Sequence, residues 1–419
     1  PPCPLMRRPI PVVLALAVFA ACSGGHRTSD VTPEPPATEL ELGDPLPGLT
    51  AEELAAFARG KELFAKRFKP SEGLGPVYNA TSCSSCHSKP VMGGGADLYR
   101  NFYVAAIGIA PFQSPLPGLP SQVVPAFGSQ ATPLFTLEGK RVDLPTDLFG
   151  APVVVGQRNS IPIFGTGLFE FVSNETILGH ADPDDADSDG ISGRVNNDGA
   201  GLGRFGTKAQ SNSVEFFTRA PLMNQMGITS NPFLGAAGTI SLAPGLAQGS
   251  GTPNAATTDD DGVADPEIAP ADLGDLIAFT RFLAPPQPQP FDAAATRGQQ
   301  RFADIGCVSC HLPELPSSRG VLRAYTDLLI HDMGPGLEEG INFGVPQASA
   351  TSPTHTGREW RTAPLWGVSK FGPWLHDGRA ATLDEAIRQH GGEALASRDS
   401  YVGLTEAERA DVLAFLARL

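Results

Sequence analysis

The sequence contains the string Cys83-Ser84-Ser85-Cys86-His87 and repeats it as Cys307-Val308-Ser309-Cys310-His311. In each string, two thiols separated by two residues are followed at once by a histidine. This is the attachment pattern of c-type haem, in which the thiols bond to the two vinyl groups and the histidine coordinates the iron. The sequence therefore predicts two covalently bound haems, with His87 and His311 as the proximal iron ligands.

Paired cysteines also occur in zinc sites, redox dithiols and disulfides. Zinc ribbons place their cysteine pairs roughly 15 to 20 residues apart, whereas 220 residues separate Cys86 from Cys307. A histidine directly after both pairs is expected for haem and is a coincidence for the other three. The two strings therefore favour haem.

The N-terminal segment has the pattern of a bacterial export signal. Met6-Arg7-Arg8 gives a basic start, residues 10–21 form a short apolar run, and Phe19-Ala20-Ala21-Cys22 resembles the lipobox of lipoproteins. Residues 1–21 are therefore predicted to be a lipoprotein-type signal peptide, with cleavage before Cys22 and lipidation of its thiol. The protein would be exported and anchored to a membrane by lipid, in the periplasm or at the outer cell surface. An ordinary signal peptide is the alternative.

Residues 22–48 are predicted to be a flexible tether, because this stretch is rich in Ser, Thr, Pro and Glu and poor in aromatic residues. The chain as a whole has a formal charge of −15. This acidity argues against nucleic acid as a partner and suits the docking of a basic one. We expect a small redox protein or another electron donor. The alternative is that the acidity reflects only solubility.

An internal repeat predicts two similar domains. The sequence RGKELFA at 59–65 precedes the first haem string, and RGQQRFA at 297–303 precedes the second; DLIAF at 275–279 likewise resembles DVLAF at 411–415. Each unit would consist of a helix, a haem motif, loops and a closing amphipathic helix. The predicted fold is mainly α and loop-rich. It has two cytochrome c-like haem domains at 49–285 and 291–419, the first with a long irregular insertion from about 91 to 260.

Further motifs make the chain similar to the di-haem cytochrome c peroxidase superfamily, and within it to the di-haem oxidoreductase branch, also labelled thiol oxidoreductase-like. The resemblance covers most of residues 50–419. It rests on both haem strings, Arg158-Asn159-Ser160, the acidic run 182–194, Met226-Gly227-Ile228-Thr229, His331-Asp332-Met333-Gly334, and the segment from Leu375-His376-Asp377-Gly378 through His390-Gly391-Gly392-Glu393. Because the haem motifs and Cys22 account for the cysteines of the mature chain, thiol redox chemistry has no residue to use.

The segment 382–393 can be interpreted physically. Thr382-Leu383-Asp384-Glu385 is a capping box, Gly391-Gly392 ends the helix, and the helical period places His390 on the same face as Leu383 and Ile387. The resemblance implies a distal haem ligand fourteen residues after His376, which is His390. The second haem would then have two histidine ligands, His311 and His390. Alternatively His390 bonds helix-end carbonyls, and His331, Met333 or His376 takes its place.

The surroundings of the first haem are predicted to be different. The resemblance implies that a distal histidine could follow the first motif, as in some resting peroxidases, but no histidine occurs between His87 and His180. The iron is therefore expected to be open to peroxide or oxygen. Met92, Met223 or Met226 could instead close it. The resemblance also leads us to expect an aromatic residue at about Thr207, between the two haems, and position 207 itself is not aromatic.

The resemblance implies an acid just before the Met-Gly step, where it assists cleavage of the oxygen bond. Here that distal catalytic position is Gln225, which can donate a hydrogen bond but cannot transfer a proton. Glu170 and Glu215 could substitute, although structural roles are expected for both. The departure weakens the prediction of peroxidase activity.

The run Asp185-Ala186-Asp187-Ser188-Asp189-Gly190 resembles a calcium-binding loop, since carboxylates alternate before a turn glycine. Its twelfth position is Asn196 rather than a bidentate Glu, so weak binding through Asp185, Asp187 and Asp189 is expected. A solvated acidic turn is the alternative, and Asp259-Asp260-Asp261-Gly262 is a fainter version.

Three functions are compatible with these observations. The leading one is peroxidase-type reduction of hydrogen peroxide with electrons from an external donor. The others are a non-catalytic di-haem electron carrier and a haem-dependent oxygenase, the latter because rubber-cleaving oxygenases resemble the same superfamily.

Overall fold

Helix α1, Ala51–Ala65, begins at a complete capping box. The Thr50 side chain accepts from the Glu53 amide, and the Glu53 carboxylate accepts from the Thr50 amide. These two bonds satisfy amide groups that would otherwise lack partners at the helix start. The helix buries Phe57 and Phe64 against helix α4, Pro270–Phe282.

The computed structural model describes residues 40–75, 77–110, 112–113, 145–197, 201–235, 238–242, 261–350, 352 and 355–419, and the strands at 123–124, 134–136 and 141–142; residues 77, 232–235, 238–242 and these strands are described by their backbone alone. The predicted signal peptide, Cys22, tether residues 22–39 and residues 259–260 lie outside the described residues. Residues 40–419 form one compact unit. Among the described residues, no helix has both the length and the hydropathy needed to cross a bilayer.

The remaining helices are α2 at Asn174–Leu178, α3 at Val214–Met226, α5 at Ala293–Asp304, α6 at Leu383–Arg388, α7 at Leu395–Gly403 and α8 at Glu406–Leu416. The strands are β1 at Val77–Tyr78, β2 at Phe102–Ile107, β3 at Val123–Val124, β4 at Leu134–Thr136, β5 at Arg141–Val142, β6 at Asp147–Leu148, β7 at Ala151–Arg158, β8 at Ser230–Gly235, β9 at Gly238–Leu242, β10 at Leu315–Ser317, β11 at Gly320–Leu322, β12 at Ile330–Asp332 and β13 at Glu359–Arg361.

The sequence repeat corresponds to two helix pairs with the same packing. In the α1–α4 pair, Gly60 lies so close that a Cβ there would be 1.9 Å from the Asp275 carbonyl oxygen. The Arg59 guanidinium donates two hydrogen bonds, of 2.6 and 2.8 Å, to the Asp275 carboxylate. The rings of Phe64 and Phe279 are 4.9 Å apart. A small residue, an ion pair and an aromatic contact thus fix this helix crossing.

The α5–α8 pair repeats each of these contacts. A Cβ on Gly298 would be 1.9 Å from the Asp411 carbonyl oxygen, and Arg297 donates to the Asp411 carboxylate at 2.8 and 2.7 Å. The rings of Phe302 and Phe415 are 5.4 Å apart. The Arg, Gly and Phe that are identical in the two sequence units are therefore residues that hold the helices together.

The prediction of a mainly α fold is wrong for the region from about 91 to 260, which was expected to be an irregular insertion but contains a β-sheet. Strands β3, β2, β7 and β6 form an antiparallel sheet in that order, with Val104 opposite Gly156 in the central β2–β7 pair. The β-branched run Val153-Val154-Val155 lies in β7, as strand propensity favours. Shorter antiparallel pairs, β8–β9, β10–β11 and β12–β13, occur elsewhere.

Residues 40–48, which the sequence predicts to be part of the flexible tether, contact the folded unit. Leu46 is buried, and its amide donates to the Phe282 carbonyl at 2.7 Å, while Leu40 and Leu42 pack against the same core. Apolar side chains therefore attach the chain to the folded unit from about residue 40, not from residue 49.

Candidate haem sites

The first haem motif forms a 3₁₀ turn, Cys83–Ser85. Ser82 caps the turn by accepting from the Ser85 amide at 3.1 Å, and the His87 amide donates to the Cys83 carbonyl at 3.1 Å. The His87 ring is fixed by its Nδ1, 3.0 Å from the Gly94 carbonyl oxygen. Because a carbonyl oxygen only accepts, Nδ1 carries the proton and Nε2 keeps the lone pair that binds iron.

The second haem motif has the same local structure. Cys307–Ser309 is a 3₁₀ turn, and the His311 amide donates to the Cys307 carbonyl at 3.0 Å. His311 Nδ1 is 2.9 Å from the Tyr325 carbonyl oxygen, so its Nε2 also keeps the lone pair with which a histidine binds a metal. Each histidine lies beside the helix that precedes its motif, His87 against Phe64 and His311 against Phe302.

A cavity of about 340 Å³ separates the second motif from helix α6. Cys307, Cys310 and His311 line it, as do Leu383, Ile387 and His390. All three tryptophans of the chain, Trp360, Trp366 and Trp374, line it too. The mainly apolar wall fits a haem, and the chain offers one histidine from the motif and another from α6.

His390 has the hydrogen bond that a ligand histidine needs. Helix α6 begins at the predicted capping box of Thr382 and Glu385, and His390 Nδ1 lies 2.8 Å from the Ala386 carbonyl oxygen. Nε2 therefore has the lone pair. Burial lowers the pKa of His390 and that of His311, the latter to about 4, which keeps both rings in the neutral form that binds metal. The ligand role of His390 stays a prediction.

The three alternative ligands of the second iron, His331, Met333 and His376, also line the cavity. The two histidine rings among them contact other side chains. Both ring nitrogens of His331 face carboxylates, Nδ1 at 2.8 Å from Glu393 and Nε2 at 2.8 Å from Asp327. His376 stacks on Trp360, with ring centroids 3.8 Å apart and planes 12° apart. Met333 lines the cavity without such a contact described. Of the candidate residues, His390 is the one whose Nδ1 is held by a backbone carbonyl while its Nε2 keeps a lone pair for a metal.

Gln225 lies in the last turn of α3. Its carbonyl accepts from the amides of Asn79 at 2.8 Å and Ala80 at 3.1 Å, three to four residues before Cys83. These bonds fix the end of α3 beside the first haem motif. Met223 and Met226 are buried in the same region, and Met92 is partly buried against the core.

The two acids that might replace Gln225 have structural contacts. Glu170 accepts from the Val214 amide at 2.8 Å and from Arg281 at 2.6 Å. Glu215 accepts from Arg219, four residues later, at 2.7 Å. The expectation of structural roles for both agrees with these bonds.

An aromatic residue does lie beside Thr207, although it comes from a distant strand. The Thr207 carbonyl accepts from the Arg361 amide at 2.8 Å, and the neighbouring Trp360 holds the Lys208 ammonium 3.3 Å from its ring centroid. Thr207 and Trp360 both line the cavity. No local pattern could have revealed this contact, because β13 is far from Thr207 in sequence.

In the acidic run, carboxylate oxygens of Asp182, Asp185 and Asp187 lie within 4.8 Å of one another. Asp189 is outside this group, and its Oδ1 accepts from the Ile191 amide at 2.8 Å. The carboxylates that lie together are therefore those of the predicted residues Asp185 and Asp187, with Asp182 in the place of Asp189.

Comparison with known proteins agrees with the two haem motifs. Residues 133–419 match the family described as "Di-haem oxidoreductase", whose description adds peroxidase activity only as a hypothesis. The chain is 31% identical over 134 residues to the methylamine utilization protein MauG of Methylorubrum extorquens, a match that spans 30% of this chain and 35% of that protein.

Two solved structures are similar at a lower level. Hydrazine synthase of Kuenenia stuttgartiensis has 15% identity and a TM-score of 0.42, with 97% of this chain and 100% of that chain covered. A MauG-like protein associated with microbial copper homeostasis has 17% identity and a TM-score of 0.41, with 91% and 94% covered. These scores support no assignment of activity.

The family match covers more than half of the chain, includes the second haem motif and most residues that line the cavity, and implies haem cofactors and a redox function. The chain therefore belongs to the di-haem oxidoreductase family.

Proposed function

We propose that this protein binds two haems covalently, through thioethers at Cys83 and Cys86 and at Cys307 and Cys310. His87 and His311 would be the proximal ligands, and His390 the distal ligand of the second iron. The observation that carries the proposal is a shared one: each histidine donates Nδ1–H to a backbone carbonyl and so presents Nε2. The four cysteines form no disulfide in the described part of the chain.

We further propose peroxidase-type reduction of hydrogen peroxide as the activity. When bound, haem supplies a redox-active iron. Cavity residues would exclude water from the second haem, and His311 and His390 would leave it no open position. The stretch between His87 and His180 offers no second histidine to close the first iron, and the Gln225 side-chain amide would donate a hydrogen bond to the peroxide substrate.

A non-catalytic electron carrier is the second candidate, and a specific observation favours it. Gln225 has no acidic proton, and Glu170 and Glu215 are held in ion pairs with Arg281 and Arg219. In the described part of the chain, neither Glu170 nor Glu215 is therefore free to replace Gln225 as a proton donor.

Haem content and spin state test these proposals. Mature protein expressed with the c-type haem attachment machinery should keep two haems per chain after denaturation, and Cys307→Ala/Cys310→Ala should keep one. A high-spin ferric signal that changes on addition of peroxide would support the enzyme. Two low-spin haems that do not react would support the carrier, and protein without covalent haem would contradict both.

We also propose that the protein is exported, anchored through lipidated Cys22, and supplied with electrons by a small redox protein.

We propose in addition that the loop containing Asp185, Asp187 and Asp189 binds calcium weakly, with Asp182 as an additional ligand. Calorimetric titration with Ca²⁺ should show heat that Asp185→Asn/Asp187→Asn removes. Equal heats from both proteins would contradict a site in this loop.

A further inference from the structure

A buried cluster of charged side chains lies against the Cys310 sulfur at the edge of the cavity. His331 Nδ1 is 2.8 Å from Glu393 Oε2 and 3.7 Å from Cys310 Sγ, and His331 Nε2 is 2.8 Å from Asp327 Oδ2. The side chains of Asp327, His331 and Glu393 are 2%, 4% and 8% exposed. Two carboxylates thus share one imidazole where little water can reach them.

Hydrogen-bond donors surround both carboxylates. Glu393 accepts from the amide and the hydroxyl of Ser192, each at 3.0 Å, and from the Asp332 amide at 2.9 Å. Asp327 accepts from the Leu329 amide at 2.9 Å. Because an ionised carboxylate only accepts, this donor set fits two negative charges.

The charge states of His331 and Glu393 are consistent with this arrangement. Burial acts to lower the pKa of His331, but the Asp327 charge raises it well above the usual value, so the ring is a cation. Burial acts to raise the pKa of Glu393, but the hydrogen bond and charge of His331 hold it below the usual value. The cluster therefore has two negative charges and one positive charge.

Other charges face the cluster from neighbouring elements. Arg361 of β13 faces Asp327. Glu359 of the same strand lies near Glu393 but is paired with Arg194, Nη2 to Oε2 at 2.5 Å. Arg361 offsets part of the charge of Asp327, whereas Glu393 has His331 as its partner and itself lines the cavity.

Glycines of the surrounding segments make room for the cluster. A Cβ on Gly193 would lie 2.6 Å from His331 Cε1, and one on Gly392 would lie 2.1 Å from the Asp332 carbonyl oxygen. The segments His331-Asp332-Met333-Gly334 and His390-Gly391-Gly392-Glu393 therefore meet backbone to backbone. This contact fixes Glu393 beside His331, three residues after His390.

We propose that Glu393, together with Asp327 and His331, positions negative charge beside the second haem and lowers its reduction potential. The inference rests on the proposed attachment of haem at Cys310. Ferric haem has one more positive charge than ferrous haem, so nearby carboxylates stabilise the oxidised form, and burial limits screening of this interaction.

The test is the reduction potential of each haem in the holoprotein, followed optically and by electron paramagnetic resonance. Glu393→Gln removes one negative charge and keeps a carbonyl oxygen for the His331 proton, while Asp327 continues to hold His331 as a cation. The equilibrium constant for reduction of the second haem should rise by about tenfold or more, a shift of about 59 mV for a one-electron couple. Asp327→Asn should shift it in the same direction by less, because Arg361 offsets Asp327 and because loss of the Asp327 charge lowers the pKa of His331, which can then lose its positive charge. Glu52→Gln, at an exposed position of α1, is the matched control and should shift neither haem.

A rise confined to the second haem supports the inference. The inference is overturned if the reduction potential of the second haem rises no more in Glu393→Gln than in Glu52→Gln. It is also overturned if the potentials of both haems rise equally. If Glu393→Gln does not fold, Glu393→Ala, which removes the same negative charge, decides by the same criteria. A wild-type protein that lacks covalent haem would instead contradict the proposed function. Measured haem content separates that result from a variant that contains both haems but has an unchanged reduction potential.

Discussion

His390, His311 and His87, the proposed iron ligands, share one arrangement, in which Nδ1 bonds a backbone carbonyl and Nε2 keeps its lone pair. His390→Ala removes the proposed sixth ligand of the second iron, while Ala386 and the rest of α6 stay in place. Without that ligand the second haem should become high-spin. Electron paramagnetic resonance and visible spectra of the ferric protein measure this change.

The matched control for His390→Ala is His180→Ala, because His180 is an exposed histidine after α2. This variant should keep the wild-type spectrum. If His390→Ala also keeps it, then His390 is not a ligand, and Met333 becomes the next candidate.

His376 makes the stability of the fold sensitive to acid. Burial and the charges of Arg158 and Lys208 lower its pKa to about 2, whereas an unfolded chain binds the proton below about 6.5. Stability from the neutral ring is therefore lost as the pH falls below about 6.5 toward 2. His376→Phe keeps a ring to stack on Trp360 and cannot be protonated.

Between pH 7 and pH 5, the wild-type protein should lose about 2 kcal/mol more unfolding free energy than His376→Phe, at about 1.4 kcal/mol per pH unit below the unfolded pKa. Urea unfolding at the two pH values measures the difference. Parallel losses in the two proteins would show that His376 takes up a proton in the folded state as readily as in the unfolded one.

At the scale of elements, the two helix pairs depend on glycines that no other residue can replace. A Cβ on Gly60 or Gly298 would meet a carbonyl oxygen of the facing helix at 1.9 Å. Gly60→Ala and Gly298→Ala should therefore each separate a helix pair and cost about 2 kcal/mol or more of unfolding free energy. Chemical denaturation of each holoprotein variant measures the cost.

The chain supplies a matched control within α4. A Cβ on Gly274 meets no atom within 4 Å, so Gly274→Ala should stabilise the protein by about 0.5–1 kcal/mol through helix propensity alone. If Gly298→Ala were equally stabilising, the close approach of α5 and α8 would not exist in solution.

The helices could be predicted where the signal is local. The capping box at Thr382 and Glu385 and the repeat around Gly60 and Gly298 each use residues close together in sequence, and the structure confirms both. The β2–β7 sheet was missed, because its strands pair across a long stretch of chain and the alternation in each is short. Trp360 beside Thr207 was missed for the same reason.

At the scale of the whole molecule, the haem motifs could be predicted and their surroundings could not. Two five-residue strings predict the attachment chemistry, whereas the partners of His331 come from separate segments that meet only in the fold. Gly391-Gly392 before Glu393 was the available signal. The glycine pair predicts the end of a helix, and it also allows the backbone contact with Asp332.

The charge of the molecule leads to a prediction about its electron donor. With a formal charge of −15, the protein attracts a basic redox protein from a distance set by the Debye length, about 30 Å at 0.01 M salt and about 8 Å at 0.15 M. The rate constant for reduction by a small basic cytochrome should therefore fall by about tenfold or more over that range. Stopped-flow spectroscopy at the haem bands measures it. An uncharged hydroquinone serves as control, because its rate should not change. A rate with the basic donor that is equally insensitive to salt would mean that the acidic surface does not guide the partner, and that the charge serves solubility alone.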